Sequence, residues 1–358
     1  MMRILDPQLD RHQIDALLAA GYRLVDAWST AANELRELDP ESDPPGVRYA
    51  VYDWRHTLVE LPDPESFWRL RTARNRYLID EPEQRAWARA LIGIAGLSVG
   101  SSALTVCALT GAQRFHLADP DRLGVTNLNR LPASVCDIGT RKTTLARRRV
   151  LELDPYASLR MFSDGVTPAS ADHFLGTAPG GERLTVLVEE MDDLTAKVDI
   201  RRRARRAGIP VVMATDNGDN AIVDIERFDL DPDYPLFHGR AGDLTALSGT
   251  ALADPRERAR IAQHIVGPEI TPRTRYSLTE VGRSLQSWPQ LGTAATLAGA
   301  TAAYAARLIA CGHALPSGRY RLDLDRALLG DAADTAQRWN ELSEADFRTA
   351  MASDPTRE

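Results

Sequence analysis

The sequence predicts an α/β protein in which helices cover both faces of a doubly wound, mostly parallel, Rossmann-like sheet, with a small α/β appendage at the N-terminus. The first observation is an apolar strand at Leu91–Ile94 that leads through a Gly/Ser turn into a helix of small residues at 101–110 and a second strand ending on Asp119. The second is a pair of almost wholly apolar segments, 184–188 and 211–214. Strands buried on both faces of a parallel sheet have this composition. Together these features predict repeated strand–helix–strand units.

The turn after the first strand has the composition of a phosphate-binding loop. Residues without bulk let backbone N–H groups approach a phosphate, and the helix that follows directs the positive end of its dipole there. Asp119 could accept hydrogen bonds from ribose hydroxyls. Ala95 and Ser98 break the strict GxGxxG pattern, so a turn that only packs a helix against a strand is the alternative. The small residues of this segment are Gly93, Gly96, Ser98 and Gly100.

Polar and basic side chains follow Asp119 closely. They are Asp121, Asn127, Asn129, Arg130 and, in a Gly-x-x-Lys pattern, Lys142. Two cations and two amides suit a triphosphate better than a dinucleotide, because a triphosphate carries more charge and its departing pyrophosphate must be neutralised. Lys142 lies in the first turn of a predicted helix at 140–153, where a cation opposes the helix dipole unless an anion binds beside it. A plain surface lysine is the alternative.

Acidic residues follow the apolar segment 184–188. Ligands bind at the carboxyl edge of open α/β sheets, and clustered carboxylates are costly there unless they bind something. Asp192 is the predicted Mg²⁺ ligand, because a hard cation that bridges phosphates prefers oxygen donors. Glu189, Glu190 and Asp193 are interpreted as supporting groups, or in the case of Asp193 as a helix cap. Plain capping is the alternative for the whole cluster.

These motifs, in this order, resemble the ThiF/MoeB family, the bacterial relatives of ubiquitin-activating enzymes. The stretches that carry the resemblance are GIAGLSVG, LADPDRLGVTNLNRL, GTRK and VLVEEMDD, within a match over roughly residues 70 to 325. Other details look most like a branch in which some members are fused to a nitroreductase-like domain. We expect no such second domain here.

The resemblance implies a ThiF-like ATP-binding adenylation domain at 69–330, between the appendage at 1–68 and a tail at 331–358. It implies that the domain activates a carboxylate as an acyl-adenylate, using ATP and Mg²⁺. Asp192 would hold the metal. The groups expected to hold the nucleotide are Gly93, Gly96, Ser98, Gly100, Asp119, Asp121, Asn127, Arg130 and Lys142.

The resemblance also implies a homodimer. In this family an arginine ahead of the glycine turn reaches the ATP phosphates of the partner subunit. By position that residue is Arg76, within Arg74-Asn75-Arg76-Tyr77. The aromatic residue of the motif is displaced here, which leaves Arg74 as the second candidate and a solvated helix face as the alternative.

The cysteines depart from the family pattern. In relatives that form thioesters, a catalytic cysteine lies after the strand that corresponds to 211–214, but residues 217–289 contain none. We therefore expect the acceptor to attack the adenylate directly. The chain has no CxxC pair, so no structural zinc is expected. The three cysteines are scattered rather than arranged as a disulfide scaffold, and the protein is predicted to be cytoplasmic. They are Cys107, Cys136 and Cys311.

Composition limits the possible partners. Lys plus Arg number 43 and Asp plus Glu number 50, a formal net charge of −7 that argues against a dedicated nucleic-acid binder. No apolar run predicts a membrane span. Two other functions stay open: an NAD(P)-binding oxidoreductase, and a non-catalytic adaptor or peptide-binding protein with a degenerate nucleotide site. The carboxylate itself could be a carrier-protein C-terminus, a peptide or a small metabolite.

Four further stretches carry predictions. The arginine-rich helix at 194–207 is interpreted as a solvated face, with a contact to RNA or to a phosphorylated partner as the alternative. The polar segment 240–268 is predicted to be a mobile flap. Residues 279–290 are either a substrate-facing wall or a helix with one buried tryptophan. Residues 291–309, rich in Ala and Gly, are predicted to form a closely packed core helix.

Overall fold

The computed structural model describes residues 2–244, 255–335 and 341–352, and the chain divides into two compact units. The first unit comprises residues 1–89, 108–113 and 148–158, and the second comprises 90–107, 114–147 and 159–358. The domain boundaries expected from the sequence, at 68/69 and 330/331, stay a prediction. Part of the predicted tail (336–340 and 353–358) and part of the predicted flap (245–254) lie outside the described residues.

Among the residues described, the first unit contains a four-stranded sheet with the order β1-β3-β4-β2. Its elements are β1 (Met2–Leu5), α1 (Arg11–Ala19), β2 (Arg23–Asp26), α2 (Trp28–Leu38), β3 (Val47–Tyr52), β4 (Thr57–Pro62), α3 (Pro64–Arg71) and α4 (Glu81–Arg89). β3 is antiparallel to β1 and β4, and β2 is parallel to β4. The predicted α/β character is confirmed. The sequence does not predict β1 and β2, whose four-residue length gives little periodicity.

In the described part of the chain, the larger sheet has seven strands in the order β11-β10-β9-β8-β5-β6-β7. They are β5 (Leu91–Ala95), β6 (Arg114–Ala118), β7 (Ser158–Phe162), β8 (Val186–Glu189), β9 (Val211–Asn217), β10 (Asn220–Glu226) and β11 (Gly318–Leu322). The pairs β5–β6, β5–β8 and β8–β9 are parallel, whereas β10 is antiparallel to both neighbours. The predicted doubly wound, mostly parallel sheet is confirmed. The chain proceeds from β5 in one direction to β6 and later returns to β8 on its other side, which makes β5 the switch point where such folds bind ligands.

Helices accompany this sheet along the chain. They are α5 (Val99–Leu109), α6 (Lys142–Leu153), α7 (Ala171–Leu175), α8 (Leu194–Arg206), α9 (Pro255–Val266), α10 (Pro272–Thr279), α11 (Gly292–Ala310), α12 (Leu324–Leu329), α13 (Ala332–Thr335) and α14 (Glu344–Ala352). The predicted core helix is α11, and its small residues permit close packing against α5. A Cβ at Gly299 would lie 2.6 Å from the backbone nitrogen of Ala103. None of the helices among the described residues combines the length and the apolar character that a membrane crossing requires.

A buried ion cluster holds α8 against the sheet. Arg201 is fully buried, and its guanidinium donates to Glu189 at the end of β8 and to Glu226 of β10, the latter over 2.7 Å. Lys197, one turn earlier, also binds Glu189. The guanidinium carbon of Arg201 lies 4.1 Å from the centre of the Phe237 ring. The prediction of a uniformly solvated arginine face is therefore wrong at Arg201, because its helix position faces two carboxylates that only the folded sheet places there.

Replacing Arg201 by methionine should strongly destabilise the protein. The substitution removes the cation that compensates two buried carboxylates, and breaking a buried pair in this way typically costs about 3–5 kcal/mol. Arg206→Met is the matched control, because Arg206 is an exposed arginine on the same helix and surface changes typically stay within about 0.5 kcal/mol. Urea titrations give both free energies of unfolding. Equal stability of the two variants would contradict the assigned role of the cluster.

A separate buried carboxylate, Asp224, holds the antiparallel edge of the sheet together. Asp224 of β10 accepts hydrogen bonds from Arg319 of β11, at 2.6 and 2.8 Å, and lies 2.9 Å from Nε2 of His238. Burial raises the pKa of Asp224, but His238 and Arg319 outweigh burial and lower the pKa from its ordinary 3.8 to about 2.

The lowered pKa of Asp224 predicts an acid-dependent contribution to stability. The folded state binds this proton less readily than the unfolded state, so the contribution is present above about pH 4 and is lost as the pH falls toward about 2. A shift of this size corresponds to about 2 kcal/mol. Asp224→Asn should reduce the free energy of unfolding at neutral pH and flatten its decline below about pH 4. A variant that kept the full wild-type decline would assign the acid sensitivity to other carboxylates.

Candidate functional site

The turn that follows β5 approaches the end of β8 so closely that one position admits only glycine. Gly96 has a φ of +91°, and a Cβ there would lie 2.3 Å from the carbonyl oxygen of Glu190. At Gly100 a Cβ would lie 2.9 Å from Cγ2 of Ile94. Gly93 lies within β5 rather than in the turn, and a Cβ there would meet the Leu184 side chain. Helix α5 begins at Val99, so its N-terminus opens directly from this turn.

Asp119 fixes the turn from the neighbouring strand end. Its two carboxylate oxygens accept hydrogen bonds from the backbone N–H groups of Leu97, at 2.7 Å, and Asp121, at 2.8 Å. Burial raises the pKa of Asp119, and Lys142 acts in the opposite direction. Lys142 is the first residue of α6, and its ammonium lies 2.8 Å from Asp121 and 3.7 Å from Asp119. The lysine predicted to face an anion is thus only 8% exposed and already paired with two carboxylates.

Arg130 joins the turn from the other side. Its Nε donates to Oγ of Ser98 over 2.8 Å, and its Nη1 donates to Oδ1 of Asn129 over 2.9 Å. Burial lowers the pKa of Arg130, whereas Asp216 and Asp192 raise it, which places both carboxylates within electrostatic reach of the guanidinium. Ser98, which breaks the glycine pattern, is therefore the residue that anchors this cation.

The remaining predicted residues have several different environments. Asn127 caps a short turn, with its Oδ1 accepting from the N–H of Gly124 over 2.9 Å. Asp192 is exposed. Asp193 caps α8 by accepting from the N–H of Ala196, which confirms the predicted helix cap. Arg76 lies in the first unit, where its side chain is exposed after a short 3₁₀ turn.

Two buried carboxylates at this sheet edge, Glu190 and Asp216, are not predicted as ligands from the sequence. Glu190 accepts from the N–H of Ala214 over 2.7 Å, and burial raises its pKa well above the ordinary value. Asp216, near the end of β9, is 3% exposed, and neither of its carboxylate oxygens has a hydrogen-bond partner. Burial raises the pKa of Asp216 to about 6 despite the nearby Gln290 and Arg130. An acid directly after an apolar strand is the signal that could have identified Asp216.

A separate cavity of about 1010 Å³ lies within the second unit, with mostly apolar walls. The segment 279–290, predicted as a substrate-facing wall or a helix with a buried tryptophan, contributes Val281, Gly282, Gln286 and Trp288 to it. The same segment reaches the sheet edge, because Nδ2 of Asn129 donates to the carbonyl oxygen of Gln290 over 2.8 Å. Its role toward a substrate stays a prediction.

The arrangement at the sheet edge suits a phosphate-bearing ligand. A half-buried guanidinium stands beside a helix N-terminus, and both attract anions. In the described part of the chain no group of three or more His, Cys, Asp or Glu side chains could hold a metal ion. Asp192 nevertheless fits Mg²⁺, because that ion commonly takes one or two carboxylates and completes its shell with water and substrate phosphates. Contacts within the second unit thus join Ser98, Asp119, Asp121, Arg130 and Lys142 around one turn.

Comparison with known proteins agrees with these motifs. The ThiF family matches residues 72–221. An uncharacterized Mycobacterium tuberculosis protein is 37% identical over 325 residues, which are 89% of this chain and 44% of that protein. The tRNA threonylcarbamoyladenosine dehydratase of Escherichia coli K12 is 27% identical over 147 residues, 40% of this chain and 53% of that enzyme. The chain thus spans about half the length of these relatives.

Two solved structures are also similar. The E. coli dehydratase in complex with AMP is 19% identical with a TM-score of 0.48, and the match covers 68% of this chain and 95% of that one. E. coli MccB with ATP is 16% identical with a TM-score of 0.45, over 66% of this chain and 60% of that one. The family match falls on the segment that contains the turn, the Asp119 strand, Arg130, Lys142 and Asp192. Residues 72–221 of the chain belong to the ThiF family.

Proposed function

We propose that this protein is an ATP-dependent adenylyltransferase that activates a carboxylate as an acyl-adenylate. The observation that carries the proposal is the anchoring of Arg130 by Ser98 at the turn that opens into α5. A fixed cation beside a helix N-terminus is suited to a polyphosphate whose charge increases as pyrophosphate leaves. Membership of the ThiF family supports the same reaction, and it does not favour an NAD(P)-dependent oxidoreductase.

In the proposed reaction a carboxylate oxygen attacks the α-phosphorus of ATP. The new bond joins that oxygen to phosphorus, the bond to the pyrophosphate oxygen breaks, and pyrophosphate leaves with the electron pair. Arg130 and the N–H groups at the start of α5 stabilise the charge on the phosphates, while Asp119 and Asp121 orient Lys142 and the ribose. Asp192 would hold Mg²⁺, which would supply further positive charge at the phosphate oxygens.

The acyl-adenylate would pass directly to its acceptor. Residues 217–289 contain no cysteine that could take over the acyl group as a thioester. Cys107 is buried, and burial raises the pKa of its thiol, so the nucleophilic thiolate is disfavoured there. Cys136 is exposed and Cys311 is partly buried, but both lie outside residues 217–289. We therefore propose that the acceptor brings its own nucleophile to the sheet edge.

Removing the charge of Arg130 or Asp192 should abolish adenylation while leaving the fold intact. Loss of one preorganised group of this kind typically costs about 10²–10³ in rate. We expect Arg130→Ala and Asp192→Ala to lose ATP–pyrophosphate exchange, measured over a panel of amino acids, short peptides and other carboxylates. Calorimetry with ATP·Mg²⁺ measures nucleotide binding without a carboxylate.

The matched control for Arg130→Ala is Arg206→Ala, an exposed arginine on α8. It should bind ATP·Mg²⁺ and catalyse exchange like the wild type. Wild-type exchange in both Arg130→Ala and Asp192→Ala would overturn the assigned roles. A wild type that binds no ATP·Mg²⁺ would favour the non-catalytic adaptor.

We further propose a homodimer in which Arg76 of the partner subunit adds positive charge at the phosphates. Arg76→Ala and Arg130→Ala should each be inactive alone. Mixed dimers that contain one subunit of each kind would have one site with both arginines, so each mixed dimer should have about half the exchange activity of a wild-type dimer. Random co-expression, in which about half of the dimers are mixed, should therefore restore about one quarter. Size-exclusion chromatography with light scattering checks the dimer. No recovery in the mixed dimers would indicate that Arg76 acts within its own subunit. Wild-type exchange in Arg76→Ala alone would indicate that Arg76 has no role at the phosphates.

A further inference from the structure

Asp216 differs from the other buried acids of this protein. Glu189 binds Lys197 and Arg201, and Asp224 binds Arg319. Among the described residues, Asp216 is the one buried carboxylate in which neither oxygen has a hydrogen-bond partner. Leaving such a group unsatisfied is unfavourable, so a native structure needs a reason to retain it.

Gln290 lies close enough to lower the pKa of Asp216, but neither oxygen of Asp216 has a hydrogen-bond partner. Its neighbour across the antiparallel β9–β10 pair is Ala221, which has no polar side chain. Arg130 lies close enough to act on the Asp216 charge but donates instead to Ser98, Asn129 and the carbonyl oxygen of Thr126. Asp216, whose carboxylate is unsatisfied, is thus near Arg130. Arg130 is the residue that is proposed to bind the ATP phosphates.

We propose that Asp216 binds a primary ammonium group at the site of adenylation. An ammonium has three N–H donors and one positive charge, and so can satisfy both oxygens and the charge of Asp216 together. A divalent cation shared by Asp192 and Asp216 fits less well, because the Arg130 guanidinium is within electrostatic reach of both carboxylates. This inference rests on the proposed function, which places the adenylation site beside Asp216. It adds that either the carboxylate substrate or the acceptor carries an amino group.

The ammonium has two possible sources. It belongs either to the carboxylate substrate, which is then an amino acid, or to the acceptor. In the acceptor case the ammonium gives one proton to Asp216 and the amine nitrogen bonds to the acyl carbon. The bond from that carbon to the AMP oxygen breaks, AMP leaves with the electron pair, and the second nitrogen proton passes to water.

Binding of an ammonium can be tested without catalysis. We expect n-propylammonium chloride to raise the melting temperature of the wild-type protein in the presence of ATP·Mg²⁺. Tetramethylammonium chloride at equal ionic strength has the same charge but no N–H donor and should have no such effect. Asp216→Asn should not respond to propylammonium, whereas Asp219→Asn, in the turn that follows β9, should respond like the wild type. Equal responses to the two salts, or an unchanged response in Asp216→Asn, would overturn the proposal.

Kinetic assays distinguish the two sources. Exchange is compared for L-leucine and 4-methylpentanoate, and for L-phenylalanine and 3-phenylpropanoate. If the substrate carries the ammonium, Asp216→Asn should raise KM for the amino acids by about 100-fold and leave the deamino acids unchanged. If the acceptor carries it, exchange should be unaffected, and amide formation from propylamine should fall about 100-fold.

Two outcomes separate this inference from the proposed function. If no carboxylate in the panel supports exchange but propylammonium still stabilises the wild type through Asp216, adenylation fails and the ammonium site stands. Asp216→Asn could instead change the Mg²⁺ concentration needed for exchange while leaving both the amino-acid exchange and the amide formation from propylamine unchanged. In that case Asp216 is a metal ligand and the inference is wrong. Higher thermal stability of Asp216→Asn without ligand is expected, because the variant removes an unpaired buried charge.

Discussion

The close approach of the β5 turn to the end of β8 is the constraint on which the site depends. The backbone at Gly96 runs so near the Glu190 carbonyl that no side chain fits, and its positive φ turns the chain toward α5. This contact places the helix N-terminus at the switch point of the sheet. Asp119 holds the turn from one side and Arg130 reaches it from the other. The proposed phosphate site thus depends on one close contact, between the turn after β5 and the end of β8.

Charge pairing is uneven within the second unit: the charges of Arg201 and Asp224 are paired, whereas Asp216 at the sheet edge has no hydrogen-bond partner. Arg201 and Asp224 lie deep in the second unit, where each meets oppositely charged partners and holds neighbouring elements together. At the sheet edge the balance is different. Arg130 is half-buried with neutral hydrogen-bond acceptors, and Asp216 is buried without donors. Pairing these charges fully would have stabilised the fold, so their incomplete pairing is consistent with a site kept ready for a charged ligand.

The structure shows what the residues that depart from the family pattern contact. Ser98 occupies a position where glycine was expected, and its hydroxyl accepts the hydrogen bond that orients Arg130. The long segment between β10 and α11 lacks cysteine and instead contributes to a large, mostly apolar cavity. These differences leave the proposed phosphate-binding turn in place while changing what surrounds it. They are therefore consistent with a common first reaction and a distinct choice of substrate and acceptor.

The amino-acid sequence by itself determined the parallel centre of the sheet, the turn and the order of the motifs. Apolar strands such as 184–188 and the small residues around Gly96 are local signals, read within a few residues of one another. The sequence could not reveal that Arg201 is buried within an arginine-rich helix, that Lys142 is already paired, or that Asp216 has no donor. Those facts depend on which side chains from distant segments meet at a strand end. Only the tertiary structure decided them, because a charge is compensated by its neighbours in space rather than by its neighbours along the chain.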